Sequence, residues 1–149
     1  MCIRDRCPVG LLEVDDPDLL MAGRMPQRIN AQRQRKGLEM LDESADNAPA
    51  FATLIFHSLA ARYAEVLGRI AVHTGKHLRR LYIVGGGSQN LLLERLTAEA
   101  TGLQVLRGSK ESSTLGNFAV QLARLEGEAD GVGAEPVGQW AARLQSALR

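Results

Sequence analysis

The sequence predicts an α/β domain built around a parallel strand–helix–strand–helix unit. Apolar residues recur at spacings of three and four from Ile55 to Ile70, the stripe of an amphipathic helix. Two short apolar runs follow, "LYIV" at 81–84 and "LQVL" at 103–106, each of strand length. Each leads through glycine into a helical pattern. Helix, strand, helix, strand and helix in that order make a crossover unit, and such connections between parallel strands are right-handed. Two strands do not complete a sheet, so the domain is expected to be incomplete and to belong to a larger protein.

Composition bounds what surrounds this unit. The 149 residues are enough for one core, and 45% hydrophobic with 23% charged residues is a globular balance. A formal charge of +1 supplies no global field, so neither nucleic acid nor a membrane surface is expected as a partner. No apolar run approaches the ~20 residues of a membrane span, and the first residues lack a signal peptide's apolar centre. A cytoplasmic location is the expectation. Cys2 and Cys7 both fall in "MCIRDRCP", too few and too local for a disulfide framework or a four-ligand zinc site. Residues 1–14 are read as a non-native or disordered head, 15–127 as the domain and 128–149 as a tail.

Along the domain, residues 15–37 carry two prolines, a glycine and a basic polar run, which suggests a loop leading into a short surface helix. Arg28, Arg33, Arg35 and Lys36 there form either an anion patch or, the favoured reading, a solvated helix face. Asp15, Asp16 and Asp18 are read as turn and solvation residues. The acidic stretch 42–50 is read as a linker ending in a helix start near Asn47 and Pro49. Ile55, Leu59, Tyr63, Val66, Leu67 and Ile70 stripe the long helix, which Gly75 stops. "LYIV" reads as a strand buried on both faces. After three glycines, Leu92, Leu96 and Ala100 line a helix that Gly102 ends. "LQVL" is the second strand, and Ser112 or Ser113 is a fitting N-cap for a third helix, bearing Leu115, Phe118, Ala119, Leu122 and Leu125 and closed by Gly127. Trp140, Leu144 and Leu148 mark a last short helix, with Trp140 as a packing anchor. His57, His73 and His77 have no partner at metal spacing.

The glycines carry the functional question. Parallel strands put both following turns at one sheet edge, so the helix starts near residues 88–90 and 112–114 should face a common crevice. Each start offers free backbone N–H groups and a dipole's positive end, which suit phosphate or a polar nucleotide edge. Gly85, Gly86 and Gly87 permit positive φ and let a ligand lie where a Cβ would clash. A tight turn without ligand is the other reading. Gly116 favours the ligand, because a glycine in a helix's first turn costs ~1 kcal/mol against alanine and falls at the same edge. No Gly-Lys-Ser/Thr follows Gly85, which excludes a P-loop. A dinucleotide fingerprint would need glycine where Asn90 stands, although Arg107 leaves an NADP-binding module as an alternative.

The stretch "IVGGGSQNLLLERLTAEATGLQVLRGSKESSTLGN" resembles the C-terminal domain of the FGGY carbohydrate kinases. Its ending "STLGN", with "PDLLMAGRMPQRINA" and "IFHSLAARYAEVLGRI" upstream, is most similar to the rhamnulokinase group, which phosphorylates L-rhamnulose on its 1-hydroxyl. The likeness covers about Asp15 to Gly127 and departs at Ser109-Lys110, where the family commonly has Pro-Val. It implies a ribonuclease-H-like, actin-like ATPase/sugar kinase fold, with ATP and Mg²⁺ as cofactors and a ketose as substrate. Carried over by residue, Gly86 would contact the nucleotide, Gly85 and Gly87 would shape the turn, and Asn90 would reach the adenine. Asn90 is equally apt as a plain N-cap. Glu111, Ser113, Thr114 and Gly116 match the second motif, implied to support the pocket. The family's catalytic aspartate and phosphate-cradling hairpin lie upstream of these motifs, so no catalytic residue is assigned, Mg²⁺ is expected mainly on the absent domain, and the chain by itself is expected to be inactive. Other kinases of the family, for fuculose or xylulose, and a non-enzymatic module are the alternatives.

Overall fold

A computed structural model of the chain describes residues 9–126 and 134–147. Cys2, Cys7, Gly127 and Leu148 lie outside the described residues.

Helices start where proline is tolerated. Pro17 opens a 3-10 turn, Pro17–Leu20, behind Asp16, whose Oδ1 accepts the Asp18 N–H at 3.0 Å. Pro26 sits in the first turn of α1, Met25–Arg35, and Pro49 in that of α2, Ala48–Thr74. Proline's fixed φ and missing N–H fit that place. Gly75, at φ +63°, ends α2. There follow β1, Arg80–Ile83; a 3-10 turn, Gly85–Gln89; α3, Leu91–Thr101; β2, Gln104–Arg107; α4, Ser112–Glu126; and α5, Ala134–Ala147.

The strands pair with each other in a two-stranded sheet. Gln104 N–H donates to the Arg79 carbonyl at 3.1 Å, and Gly108 N–H to the Ile83 carbonyl at 2.9 Å. Both strands advance together between these bonds, which makes the pair parallel, as the crossover order requires. Each strand sits one residue further along or back than the apolar runs suggest. The expectation of a strand buried on both faces is wrong here. Leu81 and Ile83 are half-buried whereas Tyr82 is 59% exposed, a one-sided alternation. With no third strand among the described residues, only one face of β1 finds cover.

The chain divides into two compact units. The first comprises residues up to Arg80 and Leu92–Gln104. Its core is Ile29 of α1 with Phe51 and Leu54 of α2, flanked by Leu12, Leu19, Met25, Leu41 and Ile55. Leu12, from the stretch placed ahead of the domain, also donates its N–H to Ser58 Oγ at 2.9 Å. The buried residues of α2 all fall in its first half, and Tyr63, Val66 and Ile70 of the expected stripe are exposed. Length explains this correction: 27 residues of α2 span about 40 Å, whereas the 11 residues of α1 beside it span about 17 Å.

Two further expectations fail in this unit. The basic helix is not a solvated surface helix, since Asn30, Gln32 and Arg33 are buried along with Ile29. Arg33 donates from Nε to the Glu39 carbonyl at 2.8 Å and from Nη1 to the Val9 carbonyl at 3.0 Å. Arg28 donates to the Asp18 and Ala22 carbonyls, and Arg35 pairs with Asp16 and Asp18. These cations hold backbone and carboxylates in place and form no open anion patch. The acidic stretch is likewise no loose linker. Leu41 exchanges two 2.8 Å hydrogen bonds with the Asn30 carboxamide, which also donates to Glu43. Asn47 stands at the N-cap of α2, but its side chain donates to the Asp42 carbonyl instead of capping.

The second unit comprises Leu81–Leu91 and the residues from Val105 onward. Leu115, Ala119 and Ala123 are the buried face of α4. Trp140 of α5 donates its indole N–H to Glu126 at 2.8 Å, and the Arg143 guanidinium lies 5.0 Å from its ring centre. That hydrogen bond ties α5 to the end of α4, in keeping with an anchoring tryptophan.

Candidate functional site

All five residues singled out by the sequence, Gly85, Gly86, Gly87, Asn90 and Gly116, belong to the second unit. The chain leaves β1 through extended Val84 and turns at Gly85, whose φ of +72° strains any residue with a Cβ. The glycines then enter the 3-10 turn. Ser88 closes it from inside: its side chain is 2% exposed and its hydroxyl donates to the Gly85 carbonyl at 2.7 Å. Asn90, at φ −93° and ψ 95°, donates its N–H to the Gly87 carbonyl at 3.1 Å and directly precedes α3. It thus occupies the N-cap place that the sequence allows for it.

The loop after β2 meets this turn. Gly85 N–H donates to the Ser109 carbonyl at 3.1 Å, and the ladder bond from Gly108 to Ile83 returns from the other side. The approach is so close that a Cβ on Gly108 would stand 2.7 Å from Val84 Cγ1. Ser109 also starts α4. Its Oγ accepts the Glu111 N–H at 3.2 Å, and its carbonyl accepts the Ser112 hydroxyl at 2.5 Å and N–H at 3.3 Å. Ser112 is therefore the first helical residue with its hydroxyl turned back, and the expected capping by Ser112 or Ser113 is replaced by this serine turn. The two post-strand loops do share one edge, as parallel pairing demands.

Gly116 lies in the second turn of α4, one turn later than expected. A Cβ on Gly85, Gly86 or Gly116 would meet nothing within 4 Å, and one on Gly87 would only touch Ile83. Backbone geometry accounts for Gly85. Neither positive φ nor crowding by the chain accounts for Gly86 or Gly116. Sequence reasoning missed Ser88, Gly108 and Ser109. The signal available for Gly108 was its place directly after the second strand, matching that of the triplet after the first.

The remaining polar residues gather elsewhere. In the first unit a cleft of about 710 Å³ is bordered by Asp15, Asp16, Ser58, Arg62 and Glu65. Arg62 there pairs with Asp15 and, at 2.8 Å, with Glu65. The Glu65 hydrogen bond, followed by the charge of Asp15, raises its pKa, so it stays a cation. No group of three or more His, Cys, Asp or Glu among the described residues is placed to hold a metal. No described helix is long and apolar enough to cross a membrane.

In the second unit, hydrogen bonds thus join the loops that follow the two strands, with open glycines in the turn after β1 and inside α4. Comparison with known proteins defines the class: the profile of the FGGY family of carbohydrate kinases, C-terminal domain, matches residues 14–125. The chain belongs to that family. Among individual proteins it is 48% identical over 86 residues to a rhamnulokinase of Enterobacter sp. (strain 638), a match covering 57% of this chain and 18% of that protein. It is 37% identical over 116 residues to a rhamnulokinase of Klebsiella pneumoniae (strain 342), covering 78% of this chain and 23% of that one. The matches thus span less than a quarter of the length of either relative.

Proposed function

We propose that this chain is the nucleotide-receiving, C-terminal part of a rhamnulokinase-like enzyme that transfers the γ-phosphate of ATP to the 1-hydroxyl of L-rhamnulose. The observation that carries the proposal is the open glycine edge: Gly86 and Gly116 lack any reason within the chain to be glycine, and both follow strands whose loops are stitched together. In this reading adenosine lies over Gly85–Gly87, Asn90 offers its carboxamide to the adenine, and Gly116 leaves room beside α4. The similarity to rhamnulokinases supports the sugar. The fold in this reading is the ribonuclease-H-like domain of actin-like ATPases and sugar kinases, spanning residues 15–127.

Phosphoryl transfer depends on position and charge. A carboxylate must take the sugar's proton, and Mg²⁺ must bridge phosphate oxygens. Neither role is assigned to a described residue, so both fall to the remainder of a longer chain. Asp15, Asp16 and Asp18 are engaged with Arg62 and Arg35 in the first unit. The chain by itself is accordingly expected to bind ATP weakly and not to turn over. The test is titration of the purified 149-residue chain with ATP, ADP and NADPH, following the amide signals of Gly85–Gly87, Asn90 and Gly116. Movement with adenine nucleotides at these positions is expected. Movement with NADPH alone, or sugar-dependent ADP release by this chain, would overturn the assignment.

A further inference from the structure

We propose that Ser112 is a positioning residue for the nucleotide loop, acting through the Ser109 carbonyl; this rests on the nucleotide reading given above. The Ser109 oxygen is a node. It accepts the Ser112 hydroxyl at 2.5 Å, the Ser112 N–H at 3.3 Å and the Gly85 N–H at 3.1 Å. Gly85 is the hinge of the triplet, the one member held at positive φ. The orientation of Ser109's peptide therefore sets where the triplet begins, and Ser112, in the first turn of α4, sets the orientation of that peptide.

The arrangement is locked on its other sides. Gly108, just before Ser109, is bonded to the Ile83 carbonyl, and Ser109 Oγ is occupied by the Glu111 N–H. Ser88, buried inside the triplet turn, returns its hydroxyl to the Gly85 carbonyl. Gly85 is thus gripped at its N–H through Ser109 and at its carbonyl through Ser88. Of these grips, the one through Ser109 reaches outside the turn, and it is the route by which α4 biases the triplet.

Ser112→Ala removes the shortest bond at the node and leaves the backbone bonds to relax, while Ser112→Thr restores a hydroxyl. Two readouts on the 149-residue chain test the idea. Amide hydrogen exchange at Gly85, measured against Leu115 and Ala119 in α4, is expected to quicken roughly fivefold in Ser112→Ala, the fold-change of one net hydrogen bond, and to recover in Ser112→Thr. ADP affinity, followed at the same amides, should fall by a similar factor and recover likewise. If wild-type protein binds no ADP, the nucleotide reading has failed before any variant is compared. If wild type binds and Ser112→Ala binds equally well, or if Gly85 exchange rises no more than that of α4, the positioning role is refuted.

Discussion

Gly108 and Gly116 face opposite circumstances, and one substitution at each separates packing from ligand room. A Cβ at Gly108 would press on Val84 Cγ1 at 2.7 Å, with the Ile83 carbonyl 3.6 Å away. Gly108→Ala must therefore displace the Val84 side chain or the loop that carries it, and we expect a loss of up to about 1–3 kcal/mol in urea denaturation. Gly116→Ala meets open space inside α4, where alanine is the better helix former by up to ~1 kcal/mol. That variant should be more stable than wild type and bind ATP less tightly, as read by melting and titration together. Unchanged affinity would return Gly116 to an unexplained helix glycine. The triplet and Asn90 are legible in the sequence because they act locally, through φ and a helix start. Gly108, Ser109 and Ser88 are not, because their roles depend on the register that brings residue 109 to residue 85, and an apolar run fixes no register.

At the scale of elements, the helices are written in the sequence more plainly than the surfaces they bury. The periodicity from Ile55 to Ile70 identifies α2 and Gly75 its end, yet the fully buried residues all lie in the half beside α1, and Leu67 in the other half is only half-buried. Leu54→Ala, in the buried cluster with Ile29 and Phe51, should cost about 2–5 kcal/mol. Ile70→Ala, at a stripe position 43% exposed, should stay within about 0.5 kcal/mol. Equal losses in denaturation would show that the second half of α2 is buried after all. The helix α1 defeats a polarity-based reading because its buried side is polar: Asn30, Gln32 and Arg33 reach backbone groups of flanking segments that the sequence suggests are loops. Asn30→Ala would strand both the N–H and the carbonyl of Leu41, and a loss of about 1–3 kcal/mol in the same assay is expected.

For the whole molecule, charge ties stability to pH. Its 18 Lys and Arg and 17 Asp and Glu nearly cancel at neutrality, so folding is then free of strong self-repulsion. Two carboxyls are held below their ordinary range. Asp16 is lowered by the Gln32 side chain first, then by the Asp18 N–H and Arg35; Asp42 is lowered by the hydroxyl and N–H of Ser44. A depressed carboxyl contributes stability that is complete above its unfolded pKa, about 3.9 for aspartate, and is lost as pH falls through the lower folded value. Protonation of the other carboxylates in the same window leaves the basic side chains unopposed, and repulsion adds to the loss. The urea midpoint should thus hold between about pH 7 and pH 5 and fall steeply below about pH 4. Asp16→Asn keeps an acceptor for the Asp18 N–H but gives up the charge beside Arg35. It should lower the midpoint at pH 7 and make the acid decline shallower. A decline as steep as that of wild type would place the acid sensitivity in carboxylates other than Asp16 and leave the Asp16–Arg35 pair without a part in holding α1 to the segment before it.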